Sequence, residues 1–101
     1  MIRGPFELLL STSAKEQIQT IMDNPTHRGL QKQLKKAFHH LSQDPSHPGL
    51  SSHPMPQFNK IFGGKVFSSY VQNNTPQAHR ILWVYGPESK QITIVTVMAH
   101  Y

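Results

Sequence analysis

The chain has 101 residues, which is enough for one domain with a modest core. It carries 10 Lys and Arg against 5 Asp and Glu, and its formal net charge is +5 with the seven histidines neutral. This balance favours a polyanionic partner, either a nucleic acid or an acidic protein. The absence of cysteine excludes disulfide scaffolds, thiolate catalysis and thiolate zinc sites. Because no apolar run approaches the roughly 20 residues of a membrane span, we expect a soluble, cytoplasmic protein.

The first half of the chain predicts one strand followed by two helices. Residues 5–10 form a short apolar run that is typical of a buried strand. Ser13 and Glu16 have the spacing of a capping box, which predicts the start of the first helix. Asn24-Pro25 ends that helix, and a second one runs over residues 26–42. Such a short link predicts a helical hairpin laid over a sheet.

The second predicted helix has a basic face opposite its apolar stripe. Charge runs of this kind usually form a solvated face that keeps a protein soluble. The functional alternative is a surface that binds phosphates, in which Lys36 or Lys35 guides a nucleic-acid backbone toward the sheet.

Residues 43–56 contain four prolines and predict a loop without regular elements. His47 and His53 lie in this loop, but their spacing matches no tight ligand pattern, and no carboxylate pair completes a shell. We therefore expect no metal and no cofactor. A loop of this length in a small domain is more often functional than idle.

The interval between Asp44 and Glu88 contains no acidic residue. It contains several cations and histidines, namely Lys60, Lys65, Arg80, His47, His53 and His79. A polyanion is therefore expected to approach this part of the chain.

The end of the chain predicts three strands in a meander. Residues 65–71 form a strand of mixed character, residues 72–77 a turn, and residues 78–101 an antiparallel hairpin around Gly86-Pro87. The element order is β-α-α-β-β-β, which predicts an α+β fold with a two-helix hairpin on one face of an antiparallel sheet. We expect Trp83 and Tyr85 to belong to the core. We also expect a shared core of Ile18, Leu30, Leu34, Phe38, Leu82, Val84, Ile92 and Ile94.

Arg80 stands near the start of this hairpin, and His100 and Tyr101 end it. In an antiparallel pair these positions lie at the same end of the sheet. Histidine suits proton transfer near neutral pH, arginine suits bidentate phosphate contact, and tyrosine can stack on an unpaired base. The alternatives without a function are that Arg80 is a charge at a strand edge that aids solubility, and that His100 and Tyr101 form a frayed terminus. We favour a functional pair of Arg80 and His100.

The length of the hairpin loop decides whether Arg80 and His100 share a face. A five-residue loop pairs Tyr85 with Gln91 and Arg80 with Thr96, on the face of His100. A four-residue loop places Arg80 and His100 on opposite faces. We predict the five-residue loop, because it creates a cleft.

Several of these features together resemble the RelE/ParE toxin superfamily. They are the element order, the Asp44-Pro45 … Leu50 segment, the Gly63-Gly64 step and the pattern His79-Arg80-Ile81-Leu82-Trp83-Val84-Tyr85 … His100-Tyr101. The last of them is most similar to the YoeB branch. The resemblance covers nearly the whole chain, as one RelE/ParE-like toxin domain over residues 1–101.

The resemblance implies a bacterial toxin of a type II toxin–antitoxin pair, an endoribonuclease that cuts mRNA on the ribosome without a metal or cofactor. Its partners would be an acidic antitoxin, the ribosome and mRNA. Arg80 matches the phosphate-binding arginine, His100 the general acid, and Tyr101 the aromatic residue that stacks on or orients the nucleotide. As RNA-binding residues we predict Lys36, His53, Lys60 and Lys65.

The chain departs from the YoeB branch in one respect. That branch has a glutamate as general base in the loop before the second strand, whereas residues 45–87 contain no acid here. Either another group is the base, as with the lysines of the RelE branch, or the activity is weak or lost. The alternative function is a non-catalytic binding protein of the same fold, which inhibits gyrase like ParE or only binds its antitoxin.

Overall fold

A computed structural model describes residues 5–71 and 78–99, and its centre is a five-stranded sheet in the order β1-β5-β4-β3-β2. The strands are β1 (Glu7–Leu10), β2 (His53–Pro54), β3 (Phe67–Tyr70), β4 (His79–Tyr85) and β5 (Gln91–Ala99). The helices are α1 (Thr12–Asp23), α2 (Arg28–Gln43) and the short α3 (Asn59–Phe62). The predicted α+β fold is confirmed, with β2 and α3 as additional short elements.

The sheet is mixed rather than wholly antiparallel. β1 runs parallel to β5, with Leu8 opposite Ile92 and Leu10 opposite Ile94, while the other neighbouring strands are antiparallel. Parallel neighbours need a long crossover connection, and the chain between β1 and β5 includes all three helices and the other strands. The first strand therefore lies at the edge of the sheet, beside the last.

The N-cap of the first helix lies two residues before the predicted one. Ser11 is the N-cap, because its Oγ accepts a hydrogen bond of 3.0 Å from the backbone N–H of Ala14. The predicted cap, Ser13, lies inside the helix and is exposed. The reason is that β1 is bonded to β5 as far as Leu10, so Ser11 is the first residue at which the chain can leave the sheet.

The proline-rich loop is more ordered than predicted. It contains two short 3-10 helices, Pro48–Leu50 and Pro56–Phe58, with β2 between them. β2 pairs only with β3, with His53 opposite Ser68 and Pro54 opposite Phe67. Proline is tolerated at a sheet edge, where a missing N–H breaks no ladder. The prediction of a loop without regular elements was therefore wrong for these residues.

The hydrophobic core lies between the sheet and the two long helices. Of the predicted core residues, Leu30, Leu34, Ile92 and Ile94 are buried in it, and Ile18 and Phe38 pack against it half-buried. The buried members of the core are Phe6, Ala14, Ile21, Leu30, Leu34, Ala37, Leu41, Leu50, Ile81, Trp83, Ile92, Ile94 and Val97.

β4 shows where the core prediction failed. Its core residues are Ile81 and Trp83, so Leu82 and Val84 point to the other side of the sheet because side chains alternate along a strand. Trp83 is a core residue as predicted, whereas Tyr85 is 54% exposed at the end of the strand.

A buried chain of hydrogen bonds joins this core to the proline-rich loop. The Nε1–H of Trp83 donates to Ser69 Oγ at 2.8 Å, and the hydroxyls of Ser69 and Ser52 lie 2.6 Å apart. Ser52 Oγ in turn donates to the carbonyl of Pro45 at 2.7 Å. These hydrogen bonds therefore connect the loop that precedes β2 to the core tryptophan and fix its position on the sheet.

No helix within residues 5–71 and 78–99 is long and apolar enough to cross a membrane.

Candidate active site on the sheet face opposite the helices

The hairpin of β4 and β5 has a different register from the predicted one. Tyr85 lies opposite Ile92 rather than Gln91, and Gly86 donates its N–H to the carbonyl of Gln91 at 2.8 Å. Gly86 has φ +110°, a conformation that favours glycine, and it extends the ladder one residue beyond the predicted end. The predicted pairing of Tyr85 with Gln91 is therefore wrong by one residue.

A β-bulge then shifts the register again. Trp83 lies opposite Ile94 while Leu82 lies opposite Thr96, so Val95 is an extra residue on β5. Ser11 supports the bulge, because its hydroxyl donates to the carbonyl of Val95 at 2.9 Å. Beyond the bulge, the amide of Gln17 on α1 accepts from the N–H of Val97 at 2.7 Å, on the part of β5 that β1 does not reach.

Arg80 consequently lies opposite Met98 and not opposite Thr96. Met98 is two residues before His100 in the sequence, an even spacing. His100 and Tyr101 lie outside the described residues, so their assignments as general acid and stacking residue stay predictions.

Two rows of side chains define the face of the sheet opposite α1 and α2, which we call the distal face. One row is His53, Ser68 and Leu82, and the next is Tyr70, Arg80 and Met98. Thr96 pairs with Leu82 beside the bulge, but its hydroxyl bonds to the Gln17 side chain on α1. The alternate rows face the helices: Ser69, Ile81 and Val97 lie between these two rows, and Phe67, Trp83 and Ile94 lie beyond the first.

Arg80 is buried on the distal face of the central strand. It is 9% exposed, and its Cζ lies 5.3 Å from the centre of the Tyr70 ring, a cation–π contact. Its Nε is buried and has no hydrogen-bond partner among the described residues. Burial of a charged group costs free energy unless a partner offsets it. The alternative interpretation of Arg80 as a solubility charge at a strand edge is therefore wrong.

Tyr70 and His53 complete the described part of the site. Tyr70 lies directly opposite Arg80, and its ring centre is 6.2 Å from that of His53. His53 Nδ1 lies 3.1 Å from the carbonyl oxygen of Ser51. The sequence did not indicate Tyr70 as a site residue, because the strand shows no clear alternation and its neighbourhood with Arg80 exists only once β3 pairs with β4.

The three predicted lysines lie at different places around this site. Lys36, on α2, lines a cavity of about 390 Å³ together with His40, His47 and Tyr70, the tyrosine that lies beside Arg80. Lys60 is exposed on α3. The Nζ of Lys65 lies 5.8 Å from the ring centre of Phe67, a residue that packs on the core beneath the helices. Their roles as RNA contacts stay predictions.

Three side chains near these surfaces have displaced pKa values. Burial, followed by the charge of His27, lowers the pKa of His79, the neighbour of Arg80 in β4. Burial lowers the pKa of His40, and the nearby His47, His39 and Lys36 lower it further. Burial and the charge of Asp44 raise the pKa of Tyr85. Neutral imidazoles are thus favoured at His40 and His79.

The four strands β2 to β5 carry no acidic side chain, and the only acid on the described strands is Glu7 on β1, which accepts a hydrogen bond from the Gln91 side chain. No carboxylate on β2 to β5 can therefore neutralise Arg80 or serve as a base. Within residues 5–71 and 78–99, no group of three or more His, Asp or Glu side chains could hold a metal ion.

The fold is that of solved toxin structures. A YoeB/ParE toxin from Agrobacterium tumefaciens superposes with a TM-score of 0.70 at 10% identity, over 95% of this chain and 100% of that one. A YoeB dimer from Staphylococcus aureus superposes with a TM-score of 0.61 at 14% identity, over 97% and 100% of the two chains. No protein-family model matches the sequence, and no curated protein is similar to it in sequence. The predicted YoeB/ParE-like fold is thereby confirmed, at identities that establish the fold alone.

Proposed function

We propose that the protein is the toxin of a toxin–antitoxin pair and that it cleaves mRNA on the ribosome without a metal. The observation that carries the proposal is Arg80, a buried guanidinium on the distal face of a YoeB/ParE-like fold. Its Nε has no partner among the described residues, and no acid on β2 to β5 compensates its charge. A phosphate would supply that charge and accept bidentate hydrogen bonds.

In this proposal Arg80 binds the scissile phosphate and stabilises the charge that develops on it. Tyr70 holds the guanidinium in place from β3, since the cation–π contact restricts where the side chain can point. His100 donates a proton to the leaving oxygen, and Tyr101 stacks on an unpaired base. Lys36, Lys60, Lys65 and His53 are further RNA contacts.

The reaction needs three things from the protein. The ribose 2′-OH must lose its proton, the charge on the phosphorus centre must be offset, and the 5′-oxygen must gain a proton as it leaves. The products are a 2′,3′-cyclic phosphate and a 5′-hydroxyl. Histidine and arginine can perform this chemistry near neutral pH.

The proposed partners are mRNA, the ribosome and an antitoxin. The net charge of +5 is compatible with all three, since RNA is a polyanion and an acidic antitoxin would complement a basic toxin.

The test is induced expression in a bacterial host, with mRNA 5′ ends mapped against codon boundaries. We expect the parent chain to stop growth and to produce new 5′ ends at fixed positions within codons. Arg80→Lys keeps the charge but loses the planar fork, so we expect cleavage to fall on the order of 10²-fold with little change in stability. Arg28→Lys, at an exposed arginine on α2, is the matched control and should cleave like the parent.

Two results would count against the proposal. An Arg80→Ala variant as toxic as the parent would remove Arg80 from the site. Growth arrest without new mRNA ends would instead favour the non-catalytic alternative, a protein that acts by binding gyrase or another target.

A further inference from the structure

We propose that His53 is the general base of the site and removes the proton from the ribose 2′-OH through its Nε2. This inference rests on the proposed ribonuclease function and identifies the group that replaces the missing carboxylate. It narrows the RNA contact predicted for His53 to the 2′-OH, the group that this residue deprotonates.

Few of the described groups near His53 could accept the proton of the 2′-OH in its place. The titratable side chains near it are Tyr70 from β3, Arg80 from β4 across Tyr70, and Tyr85, which lines a cavity with His53. His47 lies in the preceding loop, but its Nδ1 accepts a hydrogen bond of 3.0 Å from the N–H of Gly49. A phenol is protonated and a guanidinium is charged at neutral pH, so neither accepts a proton there. An imidazole changes charge between pH 5 and 8 and is suited to the task.

The hydrogen bond to Ser51 selects the tautomer that a base requires. His53 Nδ1 lies 3.1 Å from the carbonyl oxygen of Ser51, and a carbonyl oxygen can only accept. In the neutral ring Nδ1 therefore carries the proton, and Nε2 keeps its lone pair. The same bond fixes the orientation of the ring.

The Ser51 carbonyl is itself held in an unusual position. Ser51 has φ +46° and ψ +47°, the left-handed region that residues other than glycine rarely adopt. Its N–H donates to the carbonyl of Pro48 at 3.2 Å, and the next residue, Ser52, is bonded to Pro45 and Ser69. Backbone strain of this kind is concentrated at functional sites, where the surrounding structure maintains it. Here the left-handed conformation of Ser51 directs its carbonyl oxygen toward the imidazole of His53.

The position of His53 fits a base that works with Arg80. His53 is opposite Ser68 and Arg80 is opposite Tyr70, so the two lie one row apart on the distal face with β3 between them. The ring of Tyr70 lies 6.2 Å from the ring of His53 and 5.3 Å from Cζ of Arg80. A ribose and its 3′-phosphate can therefore lie above Tyr70, with the 2′-OH toward the imidazole and the phosphate toward the guanidinium.

The step balances without another reagent. Nε2 takes the proton of the 2′-OH, and the 2′-oxygen forms a bond to phosphorus. The bond between phosphorus and the 5′-oxygen breaks, and that oxygen takes a proton from the general acid. The imidazolium of His53 then returns its proton to solvent.

The experiment compares His53→Asn and His53→Ala with the parent in the full-length protein. The amide of Asn can still donate to the Ser51 carbonyl, but it cannot act as a base. Each protein is assayed for single-turnover cleavage of mRNA on programmed ribosomes, for its pH–rate profile, and for affinity toward an RNA with 2′-deoxyribose at the scissile position. His39→Asn, at an exposed histidine on α2, is the control.

We expect both His53 variants to lose cleavage on the order of 10²- to 10⁴-fold while they bind the deoxy-substituted RNA as the parent does. The fall in rate on the acid side of the profile should disappear, and added imidazole should restore part of the activity of His53→Ala. His39→Asn should match the parent in every assay.

The inference is overturned if His53→Asn cleaves at the parental rate, or if its affinity for the deoxy-substituted RNA falls as much as its rate. The second result would leave His53 as an RNA contact only. A folded parent chain that cleaves no RNA under any condition would instead contradict the proposed function, and this inference with it.

Discussion

Two adjacent serines on β3 show how differently buried hydroxyls contribute to this fold. Both are fully buried. Ser69 Oγ accepts the indole N–H of Trp83 and meets the hydroxyl of Ser52, whereas Ser68 Oγ has no hydrogen-bond partner among the described residues. Because the two serines are equally buried, the difference in their hydrogen bonds determines how much each contributes to the stability of the fold.

We predict that Ser69→Ala lowers the free energy of unfolding by about 1–3 kcal/mol, because it leaves the buried indole N–H unsatisfied. Ser68→Ala removes a hydroxyl without a described partner and should change stability little. Urea unfolding of the two variants beside the parent measures the difference. Equal losses in both variants would show that the bond from Trp83 to Ser69 does not stabilise the fold.

At the scale of residues, the sequence indicated Arg80 but missed its supporting tyrosine. Arg80 stands out because it interrupts an apolar strand, and that contrast is visible without any pairing. Tyr70 occurs in a strand with no clear alternation, and its neighbourhood with Arg80 exists only once β3 and β4 are paired. The core positions of β4 were misassigned for the same reason, since Leu82 and Val84 are as apolar as Ile81 and Trp83.

At the scale of elements, the partner of Arg80 on β5 results from two displacements of one residue. The turn places Tyr85 opposite Ile92, one residue later than predicted, and the bulge at Val95 adds a second residue. Without the bulge Arg80 would lie opposite Val97, and Val97 would then point away from the core that it now joins. The predicted partner Thr96 was wrong, and the predicted shared face of Arg80 and His100 stays a prediction, because His100 lies outside the described residues. Neither displacement has a signal in residue periodicity.

Ser11 links this bulge to the start of α1. Its hydroxyl caps the helix at Ala14 and donates to Val95, and its N–H donates to the carbonyl of Ile94 at 3.0 Å. We predict that Ser11→Ala lowers the free energy of unfolding by about 0.5–2 kcal/mol through the lost cap, with the lost bond to the bulge adding to it.

The control for this prediction is Ser13→Ala. Ser13 was the cap expected from the sequence, and it lies exposed inside the helix. Thermal unfolding should show a clear loss for Ser11→Ala and almost none for Ser13→Ala. The reverse order would restore the cap predicted from the capping-box pattern.

At the scale of the whole molecule, the charge distribution agrees with the proposed site. All five acids lie in β1, α1 or the connections at residues 44 and 88, whereas β2 to β5 contain none. The sequence alone revealed this asymmetry and the succession of a strand, two long helices and three closing strands. It did not reveal β2, because a two-residue edge strand within proline-rich chain has no pattern of its own. The interaction of His53 with Ser51 depends on a left-handed serine, which no propensity predicts.

The most direct test of the account is the chemistry of the RNA ends. Purified full-length protein is mixed with translating ribosomes and a defined mRNA, and the termini of any fragments are identified. We predict fragments with a 2′,3′-cyclic phosphate on one side and a 5′-hydroxyl on the other, formed by the parent chain and on the order of 10²-fold more slowly by Arg80→Lys. Intact mRNA in the presence of the folded parent chain, or fragments with 3′-hydroxyl and 5′-phosphate ends, would contradict the account.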